Sequence, residues 1–255
     1  MTYLQFLGVF VVPPLAAVWL LTLRVRRAPG ADPALWRTGT VVLAVLCAVA
    51  WVWTTPWDSW LIGQGTWSYA PGRVIVRFFG IPAEEYLFMA LQTLLIGLWS
   101  LLLLARATPS APGGARHRIL PAAGWTAAAC VGAVLALSSP HGTYLGSMLV
   151  WFGPLLAVQS AVGGDLLRAR RSARLGVLVP ALVWLWVSDR IALSLDIWHI
   201  SEELTYGVPL LGLPLEEAVF FVITCLLVAN GLTLAVDPAA QERLRSLRRR
   251  EGSPV

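Results

Sequence analysis

Apolar residues gather into seven long runs, 3–23, 38–55, 81–105, 119–138, 144–163, 175–193 and 212–236. Short stretches that carry nearly all the charge separate them. About 20 apolar residues are what a helix needs to cross a bilayer. The pattern predicts an all-α integral membrane protein of about seven transmembrane helices. The first run is expected to be retained. It is too long for a signal-peptide core, lacks a basic lead-in, and is followed by Arg24, Arg26 and Arg27.

Charge placement adds a topology. Counting loops alternately, one side receives Arg24, Arg26, Arg27, Arg37, Arg106, Arg116, Arg118, Arg168, Arg170, Arg171, Arg174 and the tail arginines from Arg243 to Arg250. The other side keeps only Arg73, Arg77 and Arg190. Basic loops stay in the cytoplasm, so the N-terminus is expected outside and the C-terminus inside, in a multi-pass plasma-membrane protein. The pI near 9.6 is then a topology signal, and no nucleic-acid partner is expected. Asp58, Glu84, Glu85, Asp189, Asp196, Glu202, Glu203, Glu216 and Glu217 all fall toward the outer face, in two long connections and the helix starts that follow. Composition agrees with a bilayer setting, at 57% hydrophobic and 13% charged residues, where a soluble domain carries roughly 25% charged. Cys47, Cys130 and Cys225 each sit in a separate apolar run without metal-ligand spacing and read as packing residues.

The chain repeats itself. Gly80-Ile81-Pro82-Ala83-Glu84-Glu85 returns as Gly212-Leu213-Pro214-Leu215-Glu216-Glu217. Tyr3-Leu4 leads to Pro13-Pro14, and Tyr144-Leu145 leads to Pro154. Asp58 lies 24 residues before Pro82, and Asp189 lies 25 before Pro214. Trp67 and Trp198 lie 15 and 16 residues before the same prolines, so a single one-residue gap aligns both pairs. This predicts a three-helix repeat over 1–106, a linker and connecting helix over 107–142, a second three-helix repeat over 143–236, and a basic cytoplasmic tail over 237–255. A one-helix linker leaves the two repeats parallel, with a pseudo-twofold axis along the membrane normal. The Pro/Gly/Ser stretch Pro109–Gly114 reads as the boundary between halves.

Carboxylates at the mouth of an apolar helix carry a cost, on the order of 3 kcal/mol for a charge at the bilayer centre. Helix capping would explain one copy, since Pro suits the first helical position and acids suit the first turn. Two copies with a shared Asp and Trp point instead to use. Neighbouring carboxyls that face different surroundings supply an acid and a base. The candidate catalytic residues are Glu84, Glu85, Glu216, Glu217, Asp58 and Asp189. Trp67, Trp198, Phe88, Phe220, Pro82 and Pro214 are the candidate substrate-binding residues, the aromatic faces being suited to a cation. A metal site at Asp196, His199, Glu202 and Glu203 has no counterpart ligands in the first repeat, so no metal is expected.

Absences narrow the chemistry. No lysine occurs, which excludes a retinal Schiff base. No dinucleotide-binding GxGxxG in its strand-to-helix setting, P-loop or Asp-rich diphosphate motif is present, and no cofactor is expected. What remains is proton chemistry on a hydrocarbon, in which a carboxyl protonates an alkene, a ring closes on the cation, and a carboxylate removes another proton.

The doubled Pro-x-Glu-Glu with its upstream Asp and Trp, on paired three-helix repeats, resembles the small integral-membrane lycopene cyclases of some bacteria, archaea and fungi, over roughly residues 1–236. In relatives the two halves can be separate polypeptides; here they look fused. The resemblance implies cyclisation of the ψ ends of lycopene to β rings, by way of γ-carotene to β-carotene, without a dinucleotide domain. By motif it extends to Pro82, Glu84, Glu85, Pro214, Glu216 and Glu217. The implied partners are lycopene, the lipid bilayer and other carotenoid enzymes of the same membrane. Asp196, Glu202 and Glu203 have no mirror in the first repeat, so the halves need not play equal roles. A solute or proton-coupled transporter of three-plus-one-plus-three repeats, a hydratase that lets water capture the same cation, and a non-catalytic membrane subunit stay open as alternatives.

Overall fold

A computed structural model describes residues 1–108 and 112–251, with side chains through residue 246. Seven helices are long and apolar enough to cross a membrane. They are α1 (Tyr3–Arg26), α2 (Pro33–Gln64), α3 (Ala83–Leu104), α4 (Arg116–Ser138), α5 (Thr143–Ala169, preceded by a 3-10 turn at Pro140–Gly142), α6 (Arg171–Ser194) and α7 (Leu215–Val236). A further helix, α8 (Pro238–Glu251), follows. The expected boundary at Pro109–Gly114 includes residues 109–111, which lie outside the described residues, as do the side chains of the expected tail arginines Arg248, Arg249 and Arg250.

The second helix is much longer than its apolar run. It starts at Asp32, whose side chain accepts from the Ala34 amide at 2.8 Å, and ends at Gly65 with a left-handed φ of 82°. Pro56 does not stop it, although an interior proline costs about 3 kcal/mol. The turns beyond Pro56 bury Trp57, Asp58 and Leu61, and that packing offsets the lost hydrogen bond. This corrects one expectation. Asp58 is not in a connection; it is inside α2 and 3% exposed. Asp189 is likewise inside α6 and 3% exposed.

The repeated Gly-x-Pro phrase is a hairpin that runs straight into a helix, with Pro82 and Pro214 as the N-caps of α3 and α7. β2 (Arg77–Phe78) pairs antiparallel with β3 (Ile81–Pro82), and β5 (Pro209–Leu210) pairs with β6 (Leu213–Pro214) in the same register. Each turn has two residues at positive φ, Phe79 and Gly80 in one, Leu211 and Gly212 in the other. That is the mirror-image turn whose twist suits hairpins, and glycine takes its second place without strain. In both copies the first helical amide is bonded back into the hairpin: Ala83 to the Val76 carbonyl and Leu215 to the Val208 carbonyl, each at 2.9 Å.

A third small sheet joins the two halves. β1 (Trp67–Tyr69) runs antiparallel to β4 (Trp198–Ile200), with Ser68 opposite His199. The Ser201 amide extends the pairing to the Thr66 carbonyl at 2.8 Å. Below it, α7 and α3 form the centre, packed on α1, α2, α5 and α6. The linking helix α4 sits to one side and packs along α5. Glycines set that approach. A Cβ built on Gly132 would lie 2.7 Å from the Gly146 carbonyl oxygen, and one on Gly146 would lie 2.6 Å from the Gly132 carbonyl oxygen. Small residues of this kind let helices meet closely where lipid gives no hydrophobic drive.

Candidate functional site

The joining sheet roofs a cavity of about 360 Å³. One carboxylate of each doubled motif faces it: Glu85 from the first turn of α3 and Glu217 from the first turn of α7. Asp58 and Asp189 line the same space. Thus four of the six candidate acids, two from each half, meet around one cavity.

The other two do something else. Glu84 turns away and accepts from the Ile75 amide at 2.9 Å. Glu216 accepts from the Tyr206 amide at 2.8 Å. Adjacent helical residues point about 100° apart, so one motif supplies both a cavity carboxylate and a clamp on the loop before it. Neither Glu84 nor Glu216 lines the cavity, and neither do Pro82 and Pro214, which hold the hairpin strands. One oxygen of each clamp, and one of Asp58 and Asp189, is buried without a protein partner among the described residues.

Tyrosine hydroxyls hold the two cavity glutamates. Tyr69 donates to Glu85 Oε1 at 2.6 Å, and Tyr144 donates to Glu217 Oε1 at 2.8 Å. Tyr3 stacks on Tyr69 with ring centroids 6.2 Å apart and lies beside Glu85. Burial first, and then the charge of Glu85, pushes the Tyr69 phenol well above its usual range, so it remains a donor at neutral pH. These three tyrosines were not among the expected site residues. Tyr3 and Tyr144 had a visible signal, since they match each other in the internal repeat. Tyr69 had none, its repeat counterpart being Ile200.

Aromatic rings close the walls. All four expected rings, Trp67, Trp198, Phe88 and Phe220, line the cavity. At their centre is Trp57, which reasoning from sequence passed over. It stacks on Phe220 at 6.1 Å, meets Phe152 edge-on at 5.0 Å, and lies 6.0 Å from Trp67. Trp67 also lies 5.2 Å from Tyr144, and Trp198 lies 4.9 Å from Tyr3. Such faces stabilise a nearby cation by about 0.5–2 kcal/mol each. His199 is spent on Asp196, 2.6 Å away. Among the described residues no three His, Cys, Asp or Glu side chains stand close enough to hold a metal ion.

A sequence model of the family described as lycopene cyclase matches residues 4–103 and 141–234, which include every carboxylate of the cavity and all of its aromatic side chains except Tyr3. The chain belongs to the lycopene cyclase family. Its match to a lycopene beta-cyclase of Halobacterium salinarum is 41% identical over 234 residues, covering 91% of this chain and 95% of that protein. Bifunctional lycopene cyclase/phytoene synthases are more distant. That of Gibberella fujikuroi is 33% identical over 78% of this chain and 36% of its own length. That of Sporisorium reilianum is 31% identical over 86% and 32%. No solved structure matches. Residues 104–140, which include α4, lie between the two matched stretches, and none of the described residues among them lines the cavity.

Proposed function

We propose that this chain is a lycopene β-cyclase, an isomerase that closes the ψ end groups of lycopene to β rings by acid–base chemistry. The observation that carries the reading is the meeting of Glu85 and Glu217 in one apolar, aromatic-walled cavity. One of the two, protonated, delivers its proton to the terminal double bond of the ψ group. The tertiary cation draws in the next double bond, and a carbon–carbon bond closes the ring. The cation moves to a ring carbon, and a carboxylate removes a proton beside it, leaving the ring double bond. One proton enters and one leaves, so the product is an isomer. Trp57, Trp67, Trp198 and Phe220 face the cation, and the apolar wall keeps water from capturing it. Asp58 and Asp189 are the adjoining acids through which the lost proton returns. Glu84 and Glu216 act through the loops they clamp, and Pro82 and Pro214 through the hairpins. No cofactor takes part.

In this reading the halves 1–106 and 143–236 are parallel repeats about an axis along the membrane normal, with 107–142 as linker and 237–255 as a cytoplasmic tail. The register of β1 on β4 supports that axis, because the repeat partners Trp67 and Trp198 sit symmetrically about Ser68 and His199. The site then lies near the outer face of the plasma membrane, with the N-terminus outside. The substrate reaches it from the bilayer, where other carotenoid enzymes deliver it.

The test is expression in bacteria that accumulate lycopene, followed by pigment analysis. Bicyclic β-carotene is expected. Unchanged lycopene, with the protein present in the membrane, refutes the reading. A product heavier by one water would show a hydratase.

A further inference from the structure

The cavity does not end at its ring of aromatic side chains. It continues away from the carboxylates along Val49, Ala50 and Trp53 of α2 and Leu155 and Val158 of α5. Several of these are also surface residues: Val158 is 61% exposed, Val49 47% and Trp53 40%. Side chains that line a cavity and face the surroundings together mark its opening.

The gap lies between two helices that are bridged rather than packed. α2 and α5 are not among the closely packed helix pairs of the described residues. They meet through side chains at the carboxylate end. The Trp151 indole donates to the Trp53 carbonyl at 2.9 Å, and the Trp57 indole donates to the Ser147 hydroxyl at 3.1 Å.

Helix geometry gives the depth. At 1.5 Å per residue, Val49 is roughly 13 Å along α2 from Asp58, and Val158 roughly 21 Å along α5 from Tyr144. Half of a hydrocarbon layer is about 15 Å. The opening therefore faces acyl chains rather than water. No charged side chain lines it, so what passes is hydrocarbon.

We infer that the polyene enters and leaves by this lateral window between α2 and α5, presenting one end group at a time. The inference rests on the cyclase reading and deepens it. A cavity of about 360 Å³ is near the lower end of the roughly 300–1,000 Å³ typical of pockets for drug-sized ligands. It takes an end group and the start of the chain, while the remainder lies in the window and the lipid. Both glutamates stand at the far end of the passage, so only the leading end can reach them. The second ring forms only after the monocyclic product has backed out, turned in the bilayer and entered again. The monocyclic carotenoid is thus a free intermediate in the membrane pool.

Two measurements on the full chain in liposomes test this. The first replaces Val158, on the lipid-facing rim, with Trp. Initial loss of lycopene should slow on the order of tenfold or more, since small displacements of a bound substrate are that costly. The control Val134→Trp, on the exposed face of α4 and away from the cavity, should stay near the wild-type rate. A wild-type rate in Val158→Trp overturns the window. The second needs no variant. Labelled lycopene is converted in membranes that already hold unlabelled monocyclic carotenoid. Dilution of the label in the bicyclic product is expected, and undiluted label overturns the one-end passage. If the wild-type protein converts no lycopene at all, the cyclase reading itself has failed.

Discussion

Replacing Glu85 or Glu217 with glutamine preserves shape and removes the ability to exchange a proton. The tyrosine hydroxyls can still donate to the amide oxygen, so Tyr69 and Tyr144 keep their partners and the fold should stand. Because both carboxylates face one cavity, each variant should disable the whole site. General acid–base catalysis contributes about 10²–10⁴-fold, or about 3–5 kcal/mol of barrier. Each single variant should lose that much in initial cyclisation rate. The double variant should be little worse than the poorer single one, because groups that act as a unit are not additive. The assay is lycopene consumption and product ratio in isolated membranes, normalised to immunoblotted protein. Two independent sites would give another result, with each single variant keeping about half the rate and only the double losing all. Half activity in either single variant would refute the composite site.

Tyr144→Phe removes a donor to buried Glu217. A hydrogen bond to a charged group contributes about 1.5–3 kcal/mol, so a loss of roughly tenfold to a hundredfold in rate is expected, with unchanged protein levels. Glu84→Ala and Glu216→Ala each free a loop amide from its clamp. They should lower thermal stability by about 1–3 kcal/mol, whereas Glu84→Gln and Glu216→Gln, which keep the acceptor, should stay close to wild type in melting and in activity; a loss for Glu84→Gln as deep as for Glu85→Gln would contradict the clamp role. Tyr69 has its phenol raised above the ordinary value of 10.0. Its contribution to stability is present below that value and is lost as pH rises through the higher folded value. Alkaline unfolding should therefore be steeper in the wild type than in Tyr69→Phe, and identical profiles would contradict the buried hydrogen bond.

Much of the architecture was legible because a bilayer demands it. All seven apolar runs became helices, since only helices and closed barrels satisfy their own backbone in lipid. Boundaries were less legible where packing overrode local signals. The second apolar run ends at residue 55, yet the helix continues through Pro56 and its further turns bury Trp57, Asp58 and Leu61. The prolines of the doubled motif do mark helix starts, as the N-caps of α3 and α7, but the spacing did not announce the hairpins that lead into them.

The sequence by itself determined the membrane class, the internal duplication and the chemical repertoire of carboxyls and aromatic rings. Those follow from composition, spacing and missing residue types, which need no coordinates. The tertiary structure decided how the repertoire is divided. Glu84 and Glu85 are neighbours of identical type, and no local rule says which faces a cavity and which clamps a loop. That choice depends on where α3 and α7 sit against α2, α5 and α6. The tyrosines show the same limit. Tyr3, Tyr69 and Tyr144 lie far apart along the chain and act together only because the joining sheet and the helix ends bring their hydroxyls to the two glutamates.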